Sequence, residues 1–280
     1  MRQPRKNPLF FIIICMVLLM LAQTFTSFAV VLLYGGALFR EDMTLEEADA
    51  AMLEIMYANQ TEILLISYAI VLIGLWIMAR RREQSVAAFT SLKRSARLPL
   101  MVLSSVAGLA LAFWATIAVN LIPWPEAMLE AYQTESAALA TTRPVLDFLT
   151  VVLAAPLVEE MLFRGVIYDS FCQVVPAGAA VIFQGMLFGS IHGTAIWMLY
   201  ACLCGCLLGY VRKRTGSLRP CVLMHMVFNA SAYLFDWFAA GYGEDQAAIT
   251  LIFVVSAFVL LLSVYGISFR TANGDETKNS

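Results

Sequence analysis

The sequence predicts an all-α polytopic membrane bundle of about eight transmembrane helices with both termini cytoplasmic, and three observations predict it. Of the 280 residues 61% are hydrophobic and 14% charged, with a mean hydropathy of +0.78, far above the apolar share of a water-soluble domain. The apolar residues fall into runs long enough to cross a hydrocarbon core of about 30 Å as helices. Lys and Arg gather between alternate runs, as the positive-inside bias of membrane proteins requires. The net charge of −2 says little, because the signs are segregated along the chain. The six cysteines lie in or beside apolar segments with no C-x-x-C spacing, and read as small apolar helix residues.

Met1–Pro8 is a basic tail with Arg2, Arg5 and Lys6. The following run, Leu9–Leu38, is too long for the apolar segment of a secretory signal and has no convincing cleavage site, so it reads as a retained helix. Arg40–Gln60 is acidic. Thr44-Leu-Glu-Glu47 fits a capping box, and Leu45, Ala48, Met52, Ile55 and Met56 form a helical stripe. An amphipathic surface helix and a solvated acidic loop both fit. Ile63–Ala79 is the second span, closed by Arg80-Arg81-Arg82 and a basic loop with Lys93, Arg94 and Arg97. Pro99–Leu121 is the third. Ile122–Arg143 reads as a loop with an interfacial Pro123-Trp124-Pro125 turn. The fourth span, from Val145 to Tyr168, carries Glu159 and Glu160. The fifth runs from about Val174 to Ile191, the sixth from Ala195 to Val211, the seventh from Pro220 to Ala240 and the eighth from Ala247 to Phe269. The tail Arg270–Ser280 reads as polar and disordered.

Placing the N-terminus inside and alternating through eight spans puts every one of the 18 Lys and Arg residues except Arg40, Arg143 and Arg164 on the cytoplasmic side. Seven or nine spans would scatter them over both faces. Gly185-x-x-x-Gly189 and Gly205-x-x-x-Gly209 would let spans five and six approach closely.

The fourth span is the anomaly. Three charged side chains in a membrane helix cost about 7–10 kcal/mol on the insertion scale if nothing pairs them. Glu160 and Arg164 stand four apart on one face and can pair. Glu159 is rotated by about 100° from Glu160, so its partner must come from another helix. The candidates are the two histidines of the chain, His192 and His225. His225 and Asn229 again share one face. Glu, His, His and Asn on three helices make a hydrolytic set. A desolvated carboxylate can act as general base on water. A histidine can hold the water or shuttle its proton. A second histidine and an amide can donate to a developing oxyanion. Asp147, Asp169 and Asp236 fall near predicted helix ends, where capping or interfacial anchoring accounts for them. Gln173 and Gln184 read as helix contacts.

Glu-Glu-x-x-x-Arg, Phe-x-x-x-His and His-x-x-x-Asn, in this order on successive membrane helices, resemble the motifs of the CPBP intramembrane proteases, which include the Rce1-type CAAX prenyl endopeptidases and bacterial bacteriocin-processing and immunity proteins. The likeness covers roughly residues 145–238. It implies that Glu159 activates water with help from His192, that His225 and Asn229 stabilise the oxyanion, and that Glu160 and Arg164 are a structural ion pair. The span reading gives three regions: 1–143 with three spans and the acidic outer segment, 144–240 as the four-span core that the likeness makes catalytic, and 241–280 as the last span and tail. The expected function is an endopeptidase of the cell membrane acting on a membrane-associated protein or peptide without a metal. The expected partners are that membrane-associated substrate and the lipid bilayer, with no nucleic acid.

Three other functions use the same residues. Two His and a Glu are also the ligand types of a catalytic zinc site, although each His sits on its own helix and no His-Glu-x-x-His is present. Intramembrane Glu and His could relay protons in a carrier, but there is no internal repeat. A non-enzymatic scaffold or immunity protein would need neither. One tension concerns depth: Glu159 and His225 count to the inner half of the membrane, whereas His192 ends span five toward the outer face. A short or tilted span five, or a broken segment around a wet cavity, would resolve it.

Overall fold

The computed structural model describes residues 7–36, 40, 42–138, 143–242 and 245–276, except for the side chains of 138, 236–242 and 273–276. It is helical throughout: α1 (Pro8–Gly35), α2 (Leu45–Ala58), α3 (Gln60–Arg80), α4 (Val86–Phe89), α5 (Leu98–Leu121), α6 (Glu126–Ala138), α7 (144–171), α8 (Ala177–Gly189), α9 (Ala195–Thr215), α10 (Arg219–Tyr242) and α11 (Gln246–Glu276). Among the described residues five helices are long and apolar enough to cross a membrane, namely α1, α3, α5, α9 and α11 as far as Ala272. Their outer faces carry large exposed apolar side chains, such as Phe25 and Leu33 on α1, Trp76 on α3, and Phe258 and Leu261 on α11. In water such a belt would drive association; in a bilayer it is the lipid contact.

The helix ends follow from local chemistry. Pro8, Pro99 and Pro144 open α1, α5 and α7, where the missing N–H is no loss. The capping box of α2 forms: the Glu47 N–H donates to the Thr44 hydroxyl at 3.2 Å, and the Thr44 N–H donates to the Glu47 carboxylate at 2.8 Å. Those bonds, the backbone one foremost, hold the exposed Glu47 carboxyl below its ordinary pKa. α9 stops because Gly216 takes the left-handed conformation, φ +64°, at little steric cost.

α7 is the axis of the bundle. It packs against α1, α3, α8, α9 and α10, while α5 lies between α10 and α11. Leu162, Phe163, Val166 and Ile167 of α7 join Cys15 and Leu19 of α1, Val71 and Leu75 of α3, and Phe188 of α8 in one fully buried cluster. Glycines set the closest approaches. A Cβ on Gly205 would lie 3.0 Å from the Gly185 Cα, so α8 and α9 meet glycine to glycine. A Cβ on Gly108 of α5 would lie 2.4 Å from the Met224 carbonyl oxygen, and one on Gly165 would lie 2.7 Å from that of Thr90.

The structure corrects the sequence reading at several points. The segment expected as an Ile122–Arg143 loop contains α6, because Ala, Glu, Met and Leu dominate it and Pro125 sits at its start. The tail expected to be disordered remains helical through Glu276, with the Thr271 hydroxyl donating to the Ile267 carbonyl at 2.9 Å; residues 277–280 lie outside the described set. The fifth apolar run yields a helix of only 13 residues, about 20 Å long, because residues 172–176 form the turn that leads into it. Asp147 and Asp169 are not open to water: both are buried. Asp147 accepts from the Thr61 hydroxyl of α3, and Asp169 pairs with Arg212 at 3.3 Å. The Asp236 side chain lies outside the described residues.

Gly108→Ala is expected to lower stability by about 1–3 kcal/mol through overpacking, read as an earlier thermal transition of the purified protein in detergent. Gly36→Ala, where an added Cβ meets nothing within 4 Å, should leave the transition in place.

Candidate active site

The site is built on an irregularity of α7. Two stretches, Leu149–Ala154 and Met161–Ile167, are π-helical, and the α-helical turn between them, Ala155–Glu160, carries both carboxylates. In the first stretch the N–H of Ala155 donates to the Thr150 carbonyl, five residues back. The next donor in that ladder would be residue 156, which is a proline without an N–H. The Val151 carbonyl is thereby left without its helical donor, and the Asn229 side-chain amide donates to it at 2.8 Å. In the second stretch the Arg164 carbonyl accepts from Nε of Arg212 at 3.1 Å. Both π turns thus offer a backbone acceptor to a neighbouring helix.

Glu160 and Arg164 are completely buried. Arg164 Nη1 donates to Glu160 Oε1 at 2.7 Å, and Nη2 donates to the Gly205 carbonyl of α9 at 3.1 Å. Gln184 of α8 donates to the same carbonyl at 2.8 Å. The guanidinium carbon lies 4.2 Å from the centre of the Phe188 ring, a cation–π contact worth about 2 kcal/mol or more when desolvated. Glu160 Oε1 also receives His225 Nδ1 at 3.0 Å. A carboxylate only accepts, so Nδ1 carries the proton.

Glu159 is nearly buried and points to the other side. Tyr68 of α3 donates its hydroxyl to Glu159 Oε1 at 2.5 Å. Glu159 Oε2 faces His225 Nε2 at 3.9 Å, too far for a direct bond. One imidazole therefore bridges the two adjacent carboxylates, hydrogen-bonded to one and open toward the other.

His192 sits in the turn between α8 and α9. Its Nδ1 donates to the Phe188 carbonyl at 2.6 Å, which leaves Nε2 as the acceptor in the neutral ring. Its ring packs on Phe188 with centroids 4.5 Å apart, and the His225 ring meets Phe188 edge-on at 5.7 Å. Phe188 is the common platform under Arg164, His192 and His225. The turn itself is pinned from outside, since Glu135 of α6 accepts the Thr194 N–H at 3.1 Å beside Gly193 in the left-handed region, φ +53°.

The structure thus brings Glu159, Glu160, Arg164 and His225 into direct contact. It ties Asn229 to the same helix through Val151, and joins His192 to the cluster through Phe188. The short α8 delivers Phe188 and His192 to a level that a full-length span would overshoot. Sequence reasoning missed Tyr68, whose signal was a lone phenol within an apolar span, where the hydroxyl needs a partner. It also missed the part played by Phe188, Pro156 and Glu135. Among the described residues no three His, Cys, Asp or Glu side chains are grouped as a metal would require.

Residues 141–231 match the family model described as type II CAAX prenyl endopeptidase Rce1-like. No curated protein and no solved structure matches the chain.

Arg164→Ala is expected to destabilise the protein by roughly 3–5 kcal/mol, because it strands a buried carboxylate. The double substitution Glu160→Gln with Arg164→Met, which removes both charges, should cost markedly less. Thermal unfolding of the two variants in the same detergent compares them.

Proposed function

We propose that the Rce1-like domain of this multi-pass membrane protein hydrolyses a peptide bond of a membrane-associated protein or peptide with water activated by Glu159. The family match supports a membrane endopeptidase of the CAAX type. The observation that carries the chemistry is the pair of Glu159 Oε2 and His225 Nε2, 3.9 Å apart. With Nδ1–H given to Glu160, Nε2 is the ring atom that exchanges a proton.

In this reading a water molecule lies between the carboxylate and the imidazole. Glu159 takes its proton as the oxygen attacks the carbonyl carbon of the scissile bond. His192 accepts the second hydrogen of the water at Nε2 and holds its orientation. The charge that grows on the carbonyl oxygen is met by the amide hydrogen of Asn229 not given to Val151, and by His225 when its Nε2 carries a proton. Collapse of the tetrahedral species passes the Glu159 proton to the leaving amine, which restores the carboxylate. Glu160 and Arg164 hold His225 and take no proton. Residues 144–240 are the catalytic core of this reading, 1–143 and 241–280 flank it, and the charge distribution supports eight crossings with both termini inside the cell membrane.

Purified protein in detergent is expected to cleave at least one member of a panel of membrane-tethered peptides, prenylated and unprenylated. Glu159→Ala should lower the rate by about 10²–10⁴-fold or more while leaving the melting temperature near that of the unchanged protein. A chelator should leave the rate unchanged. Loss on chelation with recovery on added zinc would make the histidines metal ligands, and undiminished biological function of Glu159→Ala would point to a non-enzymatic immunity or scaffold role.

A further inference from the structure

We propose that Tyr68 is a positioning residue for Glu159: its hydroxyl fixes one carboxylate oxygen so that the other faces His225. This rests on the reading of Glu159 as the base. It extends the catalytic apparatus to α3, outside the matched residues 141–231.

Three observations carry it. Tyr68 is only 5% exposed in the middle of a span, yet its hydroxyl does not turn to a backbone carbonyl. It crosses to another helix and donates to the Glu159 carboxyl group at 2.5 Å. Its neighbour Ser67 shows the ordinary alternative, donating to the Ala22 carbonyl of α1 at 3.3 Å, which ties helices and touches no reacting group. Finally, the division of labour at Glu159 is complete: Oε1 goes to Tyr68 and Oε2 to the His225 side. Without the phenol the carboxylate would be free to rotate and to turn either oxygen toward the imidazole.

Glu159 is surrounded by other titratable groups. His225 faces it from α10, and Glu160 and Arg164 stand beside it on α7. His192 in the turn after α8 and Cys204 on α9 lie within its electrostatic reach, and α1 contributes Cys15 to the adjoining core. Tyr68 is the member of this set that donates directly to Glu159.

The test is infrared spectroscopy of the Glu159 carboxyl group in detergent, with its bands assigned by their disappearance in Glu159→Gln. In Tyr68→Phe, which keeps the ring, those bands should move, because a carboxyl oxygen that loses a hydrogen-bond donor changes its stretching frequency. Replacement of Tyr68 by 3-fluorotyrosine, a stronger donor of the same shape, should move them the opposite way, and serves where Tyr68→Phe does not fold. On a cleaved peptide, Tyr68→Phe should lower kcat about tenfold with KM little changed. Glu159 bands identical in all three proteins overturn the proposal, whatever the cleavage result. Shifted bands in a protein that cleaves nothing uphold the positioning contact and overturn the endopeptidase reading instead.

Discussion

The rest of the site depends on one interaction, the ion pair of Glu160 with Arg164 in a place that water does not reach. A buried pair of this kind gives little net stability, since desolvation offsets most of the attraction. What it gives is fixed position. Arg164 cannot move without abandoning Glu160, the Gly205 carbonyl and the Phe188 ring together. Glu160, held by Arg164, in turn fixes which nitrogen of His225 carries the proton. The imidazole that faces Glu159 is therefore set in orientation and tautomer by a carboxylate of the adjacent helix, itself fixed by Arg164.

The backbone of α7 makes this possible. A regular helix would satisfy its own carbonyls and could offer neighbours only side chains. The two π stretches and the proline between them release the Val151 and Arg164 carbonyls, and the partners that take them are Asn229 and Arg212. Both ends of the Glu-Glu turn are thus fastened, one to α10 and the other to α9. The second fastening includes the buried Arg212–Asp169 pair. Arg212 counts as an ordinary end-of-span cation when charges are tallied along the chain, yet it is 2% exposed and serves the same helix as Glu159 and Glu160.

Much of this was legible in the sequence, and what was not has identifiable physical causes. The Glu160–Arg164 pair follows from helical spacing, the Thr44 capping box from its four residues, and the close approach of α8 and α9 from Gly185 and Gly205. Each is a local pattern whose partner lies within one helix or on the next. Tyr68 bonding Glu159 crosses 91 positions, and no spacing rule reaches that far. The π turns were hidden because an inserted residue changes neither composition nor hydropathy. The short α8 was one of the alternatives that the position of His192 raised, but its start at Ala177 was not, since Val174 and Val175 extend the apolar run into the turn before it. α6 was lost to the signal of Pro123 and Pro125, which mark a turn but equally well begin a helix.

The charge balance of the cluster argues for its chemistry. Glu159 and Glu160 bring two acidic groups into the interior and Arg164 brings one permanent cation. Glu160 and Arg164 cancel, which leaves Glu159 with a hydroxyl on one side and an imidazole on the other. A site whose purpose was stability would close that account with a second cation, as Asp169 is closed by Arg212 at the other end of the same helix. Here the two groups left over are instead a carboxylate and an imidazole set 3.9 Å apart, each of which can take up and release a proton. That is the property a general base needs when it must take a proton from water and return it to a leaving group within one turnover.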